Sequence, residues 1–150
     1  MLNIFISWSG ITGHKIASKL RILLPTMLPG VKPFMSDVDI QKGTQWRKIL
    51  NESLIETRYG MFIVTPEAND SAWMGYEFGV ISTMKKTQDI GILPLLFDGQ
   101  GNEVPNYLTD FQAVSFVKEQ WQELFLTMAT CLRTRDEESP GDALNLRANL

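Results

Sequence analysis

The sequence predicts an α/β domain with a mainly parallel sheet covered by helices on both sides. Three observations carry that expectation. Five short apolar segments alternate with amphipathic ones along the chain. Two of the apolar segments, "YGMFIVTP" (59–66) and "IGILPLLFD" (90–98), are apolar on both alternating faces, the pattern of strands buried between two layers. At 150 residues, the chain is long enough for one domain with a substantial core.

Taken in order, "NIFISW" (3–8) is the first strand, followed by the loop "SGITG". A helix is expected near 12–25, with Ile16, Leu20, Leu23 and Leu24 on one face, ending before "PTMLPG". "VKPFM" (31–35) reads as a second strand whose Pro33 places it near an edge. The polar loop "SDVDIQKG" leads to Thr44, read as the N-cap of a helix over about 45–57 with Trp46, Ile49, Leu50 and Leu54 on its face. The strand at 59–66 is expected to run into a helix opened by Thr65-Pro66, with Pro66 in its first turn. After the strand at 90–98, in which Pro94 lacks one ladder donor, "GQGNEVPNYLTDF" is an irregular crossing with one short helical turn. "AVSF" (113–116) is the fifth strand. The last helix, 118–133, carries Trp121, Leu124, Phe125, Met128 and Leu132 on one face. Residues 1–133 form the domain, and the Pro/Gly-punctuated segment 134–150 reads as a polar tail or linker.

Composition narrows the function classes. The formal net charge of -3 gives no electrostatic footprint for nucleic acid. Cys131 is the single cysteine and His14 the single histidine, so neither a disulfide framework nor a thiolate metal cluster is expected, and no metal site. The first residues lack a charged stretch ahead of an apolar run, and no apolar run nears the roughly 20 residues of a membrane span. A cytoplasmic domain without membrane contact is the expectation.

The segment "SAWMGYEFG" (71–79) poses the chemical question. Trp73, Val80, Ile81 and Met84 draw one apolar stripe, and Glu77 occupies position i+4 of it, where a core residue would be expected. Either the register is off and Glu77 is solvated, or the acid borders a cleft. In a parallel sheet ligands gather beyond the carboxyl ends of the strands, where "SWSGITG", "SDVDIQKG", "TPEANDSAW" and "FDGQGNE" lie. Glu77, more than two turns into the expected helix, would reach that edge sideways. Other residues have structural readings: Trp73, Trp46 and Cys131 as core, His14 as exposed, Gly75 and Gly79 as permitting close helix packing, Asp37 and Asp39 as solvating a loop, and Gly10 and Gly13 as turn residues or a backbone approach to pyrophosphate.

"IFISWSG", "FMSDVDIQKGTQW" and the W-x-x-x-E of "SAWMGYE" together resemble a bacterial TIR domain over about residues 1–133. The resemblance implies a flavodoxin-like fold with five strands in the order 2-1-3-4-5. It also implies an NAD+-cleaving enzyme that breaks the nicotinamide–ribose bond to give nicotinamide and ADP-ribose or a cyclic isomer, with NAD+ as substrate and no cofactor. Such enzymes serve in bacterial antiphage defence or signalling. By the same resemblance Glu77 is the catalytic glutamate; Trp73, one turn away on the same face, is expected to wall the ribose pocket or order the acid. Ser7, Trp8, Ser9 and Gly10 line the nucleotide after the first strand, and Asp37, Lys42 and Gly43 belong to a loop that closes over the site and meets neighbouring TIR domains. Some TIR enzymes have a basic pair where this chain has Ser9 and Gly10. The chemistry suits one acid: nicotinamide leaves as a neutral molecule without protonation, and a carboxylate offsets charge on the oxocarbenium-like ribosyl group. A non-catalytic TIR adaptor acting by homotypic assembly and a nucleoside N-glycosidase of deoxyribosyltransferase type are the alternatives.

Overall fold

A computed structural model describes residues 2–36, 43, 45–66, 72–85, 90–97, 104–111, 113–115 and 118–133. The elements are β1 (Leu2–Ser7), α1 (Gly10–Met27), β2 (Val31–Phe34), α2 (Trp46–Ile55), β3 (Thr57–Val64), α3 (Ala72–Lys85), β4 (Gly91–Leu96), a 3-10 turn (Asn106–Leu108), β5 (Val114–Ser115) and α4 (Lys118–Arg133). The sheet is parallel throughout its described pairings and has the order β2-β1-β3-β4-β5, as expected.

Strand alternation divides the core into two layers. Ile4 and Ile6 of β1, Tyr59, Met61 and Ile63 of β3, and Leu93 and Leu95 of β4 face α1 and α4, packing with Ala17, Leu20, Leu24, Leu124 and Met128. Phe5, Phe62, Val64 and Ile92 face the opposite way and pack against Leu50 and Leu54 of α2 and Met74 and Ile81 of α3. Period-two side-chain direction thus turns one apolar run into two cores. Gly60 of β3 lets α3 approach: a Cβ there would lie 3.1 Å from Phe62 Cε2 and 3.2 Å from Ile81 Cδ1.

Several boundaries differ from expectation. Helix α1 continues through Pro25 to Met27, and the Leu28 N–H still donates to the Leu24 carbonyl. A proline in the last turn leaves few helical bonds beyond it to lose, so the helix survives. Its buried residues are Gly13, Ala17, Leu20 and Leu24, whereas Leu23 is exposed. Helix α2 is shorter than expected, with Gln45 at the N-cap, and Thr44 lies outside the described residues, as do the side chains of Trp46 and Cys131. Pro66 is an exposed turn residue rather than part of the first turn of α3, which begins at Ala72. Gly79 is exposed with open space around it, so it permits no close helix packing.

Candidate active site

The site is assembled by an F-x-S pattern that occurs twice. β1 ends in Phe5-Ile6-Ser7, and β2 runs out through Phe34-Met35-Ser36. The two strands are neighbours with Phe5 opposite Phe34, and those rings lie 5.8 Å apart. Two residues further on, the pleat returns to the same face, so Ser7 and Ser36 point toward the side that carries α3. Glu77 of α3 receives both. The Ser7 hydroxyl donates to Glu77 Oε2 at 2.5 Å, and the Ser36 hydroxyl donates to Oε1 at 2.9 Å. The carboxylate is 1% exposed. An acid so deep is tolerated because charge-assisted hydrogen bonds replace water at both oxygens.

The stripe that buries Glu77 is not the one read from the sequence. Among the described side chains of α3, Met74, Glu77 and Ile81 are buried, at i, i+3 and i+7, with Phe78 half-buried beside them; Met84 of the expected stripe lies outside them. Trp73 lies on the outer surface, 43% exposed, and stacks on Tyr76 with ring centroids 5.7 Å apart. Trp73 is a large apolar residue one position from the true stripe, which drew the register onto the wrong side. Its expected place beside the acid on a common buried face is therefore corrected, while the inward direction of Glu77 stands.

The loop after β1 contributes at the same edge. Trp8 is half-buried and meets the His14 ring edge-on at 4.6 Å, and His14 is half-buried rather than exposed as expected. Gly10 has φ 69, a left-handed conformation that suits glycine, and it opens α1. Ser9, its N-cap, is buried, and its hydroxyl makes no hydrogen bond among the described residues. Thr65, just past β3, is in the same condition. Gly43 is an exposed turn residue with φ 84, and Asp37, Asp39 and Lys42 lie outside the described residues.

Two residues near the acid were not singled out from the sequence. For Ser36, the ends of β1 and β2 share an F-x-S pattern, but only the register of the two strands gives that pattern a meaning. Tyr107, on the 3-10 turn after β4, packs its ring 5.0 Å from that of Phe78 and against Gly75, whose missing Cβ would lie 3.6 Å from it. Burial, and secondarily the negative charge of Glu77, push the Tyr107 phenol above its usual range. No sequence signal pointed to it, because it comes from an irregular crossing. Among the described residues no group of three or more His, Cys, Asp or Glu side chains could hold a metal ion, and no helix is long and apolar enough to cross a membrane.

A doubly wound parallel sheet with a buried helical acid at its carboxyl edge defines the class. The TIR domain family matches residues 4–128, and the chain belongs to that family. Among curated proteins none matches the chain. Among solved structures it is similar to the TIR domains of the activated Roq1 resistosome that directly recognises the pathogen effector XopQ, with 18% identity and a TM-score of 0.59, covering 97% of this chain and 84% of that one. It is also similar to the TIR domain of the Toll-related receptor TRR-2 from Hydra magnipapillata, with 13% identity, a TM-score of 0.63, and coverage of 82% and 94%. A third likeness is to a 2-desoxiribosyltransferase from Leishmania mexicana, with 15% identity, a TM-score of 0.50, and coverage of 72% and 77%.

Proposed function

We propose that this TIR domain cleaves NAD+ at the nicotinamide–ribose bond. The observation that carries the reading is Glu77, a carboxylate 1% exposed that accepts hydroxyl hydrogen bonds at both oxygens. An acid already bonded to two hydroxyls is a ready acceptor for the hydroxyls of a ribose. Held in a dry setting, its charge acts on a developing cation far more strongly than it would in water. As the C–N bond breaks, its electron pair returns to the nicotinamide ring, and the positive charge passes to the ribosyl C1 and ring oxygen. Water then attacks C1 and loses a proton to give ADP-ribose; attack by an adenine nitrogen of the same molecule gives a cyclic isomer instead. Neither route needs a cofactor.

Other TIR domains are the proposed partners, in a cytoplasmic defence or signalling role. The Roq1 TIR domains were seen within an assembled resistosome, which supports assembly as a mode of action for such domains. The adaptor reading differs in requiring no Glu77. The likeness to a 2-desoxiribosyltransferase keeps nucleoside N-glycoside cleavage as the second enzymatic reading.

Incubating concentrated protein with NAD+ and separating the products tests the proposal. Nicotinamide together with ADP-ribose or a cyclic isomer is the expected result. Base release from nucleosides with NAD+ left intact would move the assignment to the glycosidase. No turnover of either would leave the adaptor. Specific activity should rise with protein concentration, and Lys42→Glu should weaken that rise while far-UV circular dichroism stays unchanged.

A further inference from the structure

The two hydroxyls on Glu77 are not held alike. Ser7 closes β1, which has strands on both sides, and is itself 1% exposed. Ser36 lies past the last residue of β2, an edge strand, and is half-buried with the longer of the two bonds. Because Glu77 has almost no exposed surface, a ligand hydroxyl reaches its carboxylate only if something covering it moves. Moving Ser7 means breaking its place in the pairing of β1 with β3, where it lies opposite Phe62. Ser36 lies beyond the last β1–β2 pair, Phe5 with Phe34, so moving it breaks no sheet pairing, and one hydroxyl bond replaces another.

Resting on the NAD+-cleavage reading, we infer that Ser36 is a displaceable clamp on the acid. Its hydroxyl holds Oε1 until a ribose hydroxyl takes that place, whereas Ser7 stays bonded to Oε2 and positions the carboxylate through the reaction. The donor exchanged is the same chemical group, so the buried charge is never left without one. Ser36 thus opposes ligand entry, and the site accepts ribosides that offer a free hydroxyl to replace it. Ser36 is a residue that sets affinity; Ser7 is a positioning residue.

The test reads binding and turnover separately. ADP-ribose, which carries the ribose hydroxyls but has no nicotinamide–ribose bond to cleave, is titrated by calorimetry into wild type, Ser36→Ala, Ser36→Thr and Ser7→Ala. Removing the competing hydroxyl should make ADP-ribose bind Ser36→Ala about fivefold tighter, the order of one net hydrogen bond. Ser36→Thr, which restores a hydroxyl, should return to the wild-type affinity. With NAD+ as substrate, the change in Ser36→Ala should fall on KM, raising kcat/KM, while Ser7→Ala should lose kcat by about tenfold. If alanine at 36 unfolds the chain, Ser36→Cys, a weaker donor of similar size, should tighten binding in the same direction.

A loss of kcat in Ser36→Ala at unchanged KM would overturn the clamp, since it would mean that Ser36 stays bonded during the reaction. Weaker ADP-ribose binding by that variant, or no binding by any variant, would also overturn it. A wild-type protein that binds ADP-ribose yet releases no nicotinamide from NAD+ would overturn the cleavage reading alone, and the calorimetric comparison would still decide the role of Ser36.

Discussion

The two faces of α3 carry neighbouring residues into opposite settings. On the inner face, Met74, Glu77 and Ile81 are removed from solvent, and the acid among them is bonded from the ends of two strands. On the outer face, Trp73 and Tyr76 stack on each other at the surface, and Gly79 has nothing near it. The tryptophan and the glutamate of one W-x-x-x-E motif therefore do different work. Four residues span 400° at 100° per residue, close to one turn, so sequence spacing alone puts them on one side. The packing shows how much a 40° offset matters at the boundary of a narrow buried stripe. One residue falls inside it and the other outside.

Substitutions across the helix sharpen this contrast. Met74→Ala, which empties a fully buried position, should cost about 3 kcal/mol of unfolding free energy, while Trp73→Ala, which removes a half-exposed stack, should cost about 1 kcal/mol. Urea denaturation of both variants measures the difference, and equal costs would show that Trp73 shares the buried face after all. A second pair concerns glycine. Gly60→Ala forces a Cβ toward Phe62 and Ile81, both fully buried and hard to displace, and should destabilise by about 1–2 kcal/mol. Gly79→Ala sits in open space within a helix and should stabilise by about 0.5–1 kcal/mol. Thermal melts of the two should move in opposite directions.

The smallest expected effect links the faces through charge. Since the negative charge of Glu77 helps to raise the Tyr107 phenol, Glu77→Gln should let tyrosinate form at lower pH than in wild type. Burial, the larger cause, remains, so part of the elevation should persist. The sign for stability follows from tighter proton binding by the folded state: the Tyr107 contribution is complete below the ordinary phenol value of 10.0 and is lost as pH rises through the folded value. Ultraviolet titration of tyrosinate in both proteins measures the shift.

Most of the fold was legible because its signals are local. The doubly apolar runs around Met61 and Leu93 marked interior strands, and Pro33 marked an edge. Boundaries were less legible where a single residue type was given too much weight. Pro25 did not end α1, and Pro66 did not begin α3. At the site, Glu77 was visible as an acid on an apolar helix. Ser36 was hidden because its role depends on register: only the pairing of Phe5 with Phe34 brings the two F-x-S endings level. Tyr107 was hidden because an irregular segment has no period to read. The expected contributions of Asp37 and Lys42 lie outside the described residues.

In the proposed reaction, the buried charge at position 77 performs the chemistry. Nicotinamide release from NAD+ by concentrated wild type and by Glu77→Gln tests it most directly, because glutamine keeps the shape of the side chain and removes its charge. Wild type should release nicotinamide, and the variant should fall by about a hundredfold or more, roughly 3 kcal/mol of transition-state stabilisation, with an unchanged circular dichroism spectrum. A folded Glu77→Gln protein that keeps most of the wild-type rate would contradict it.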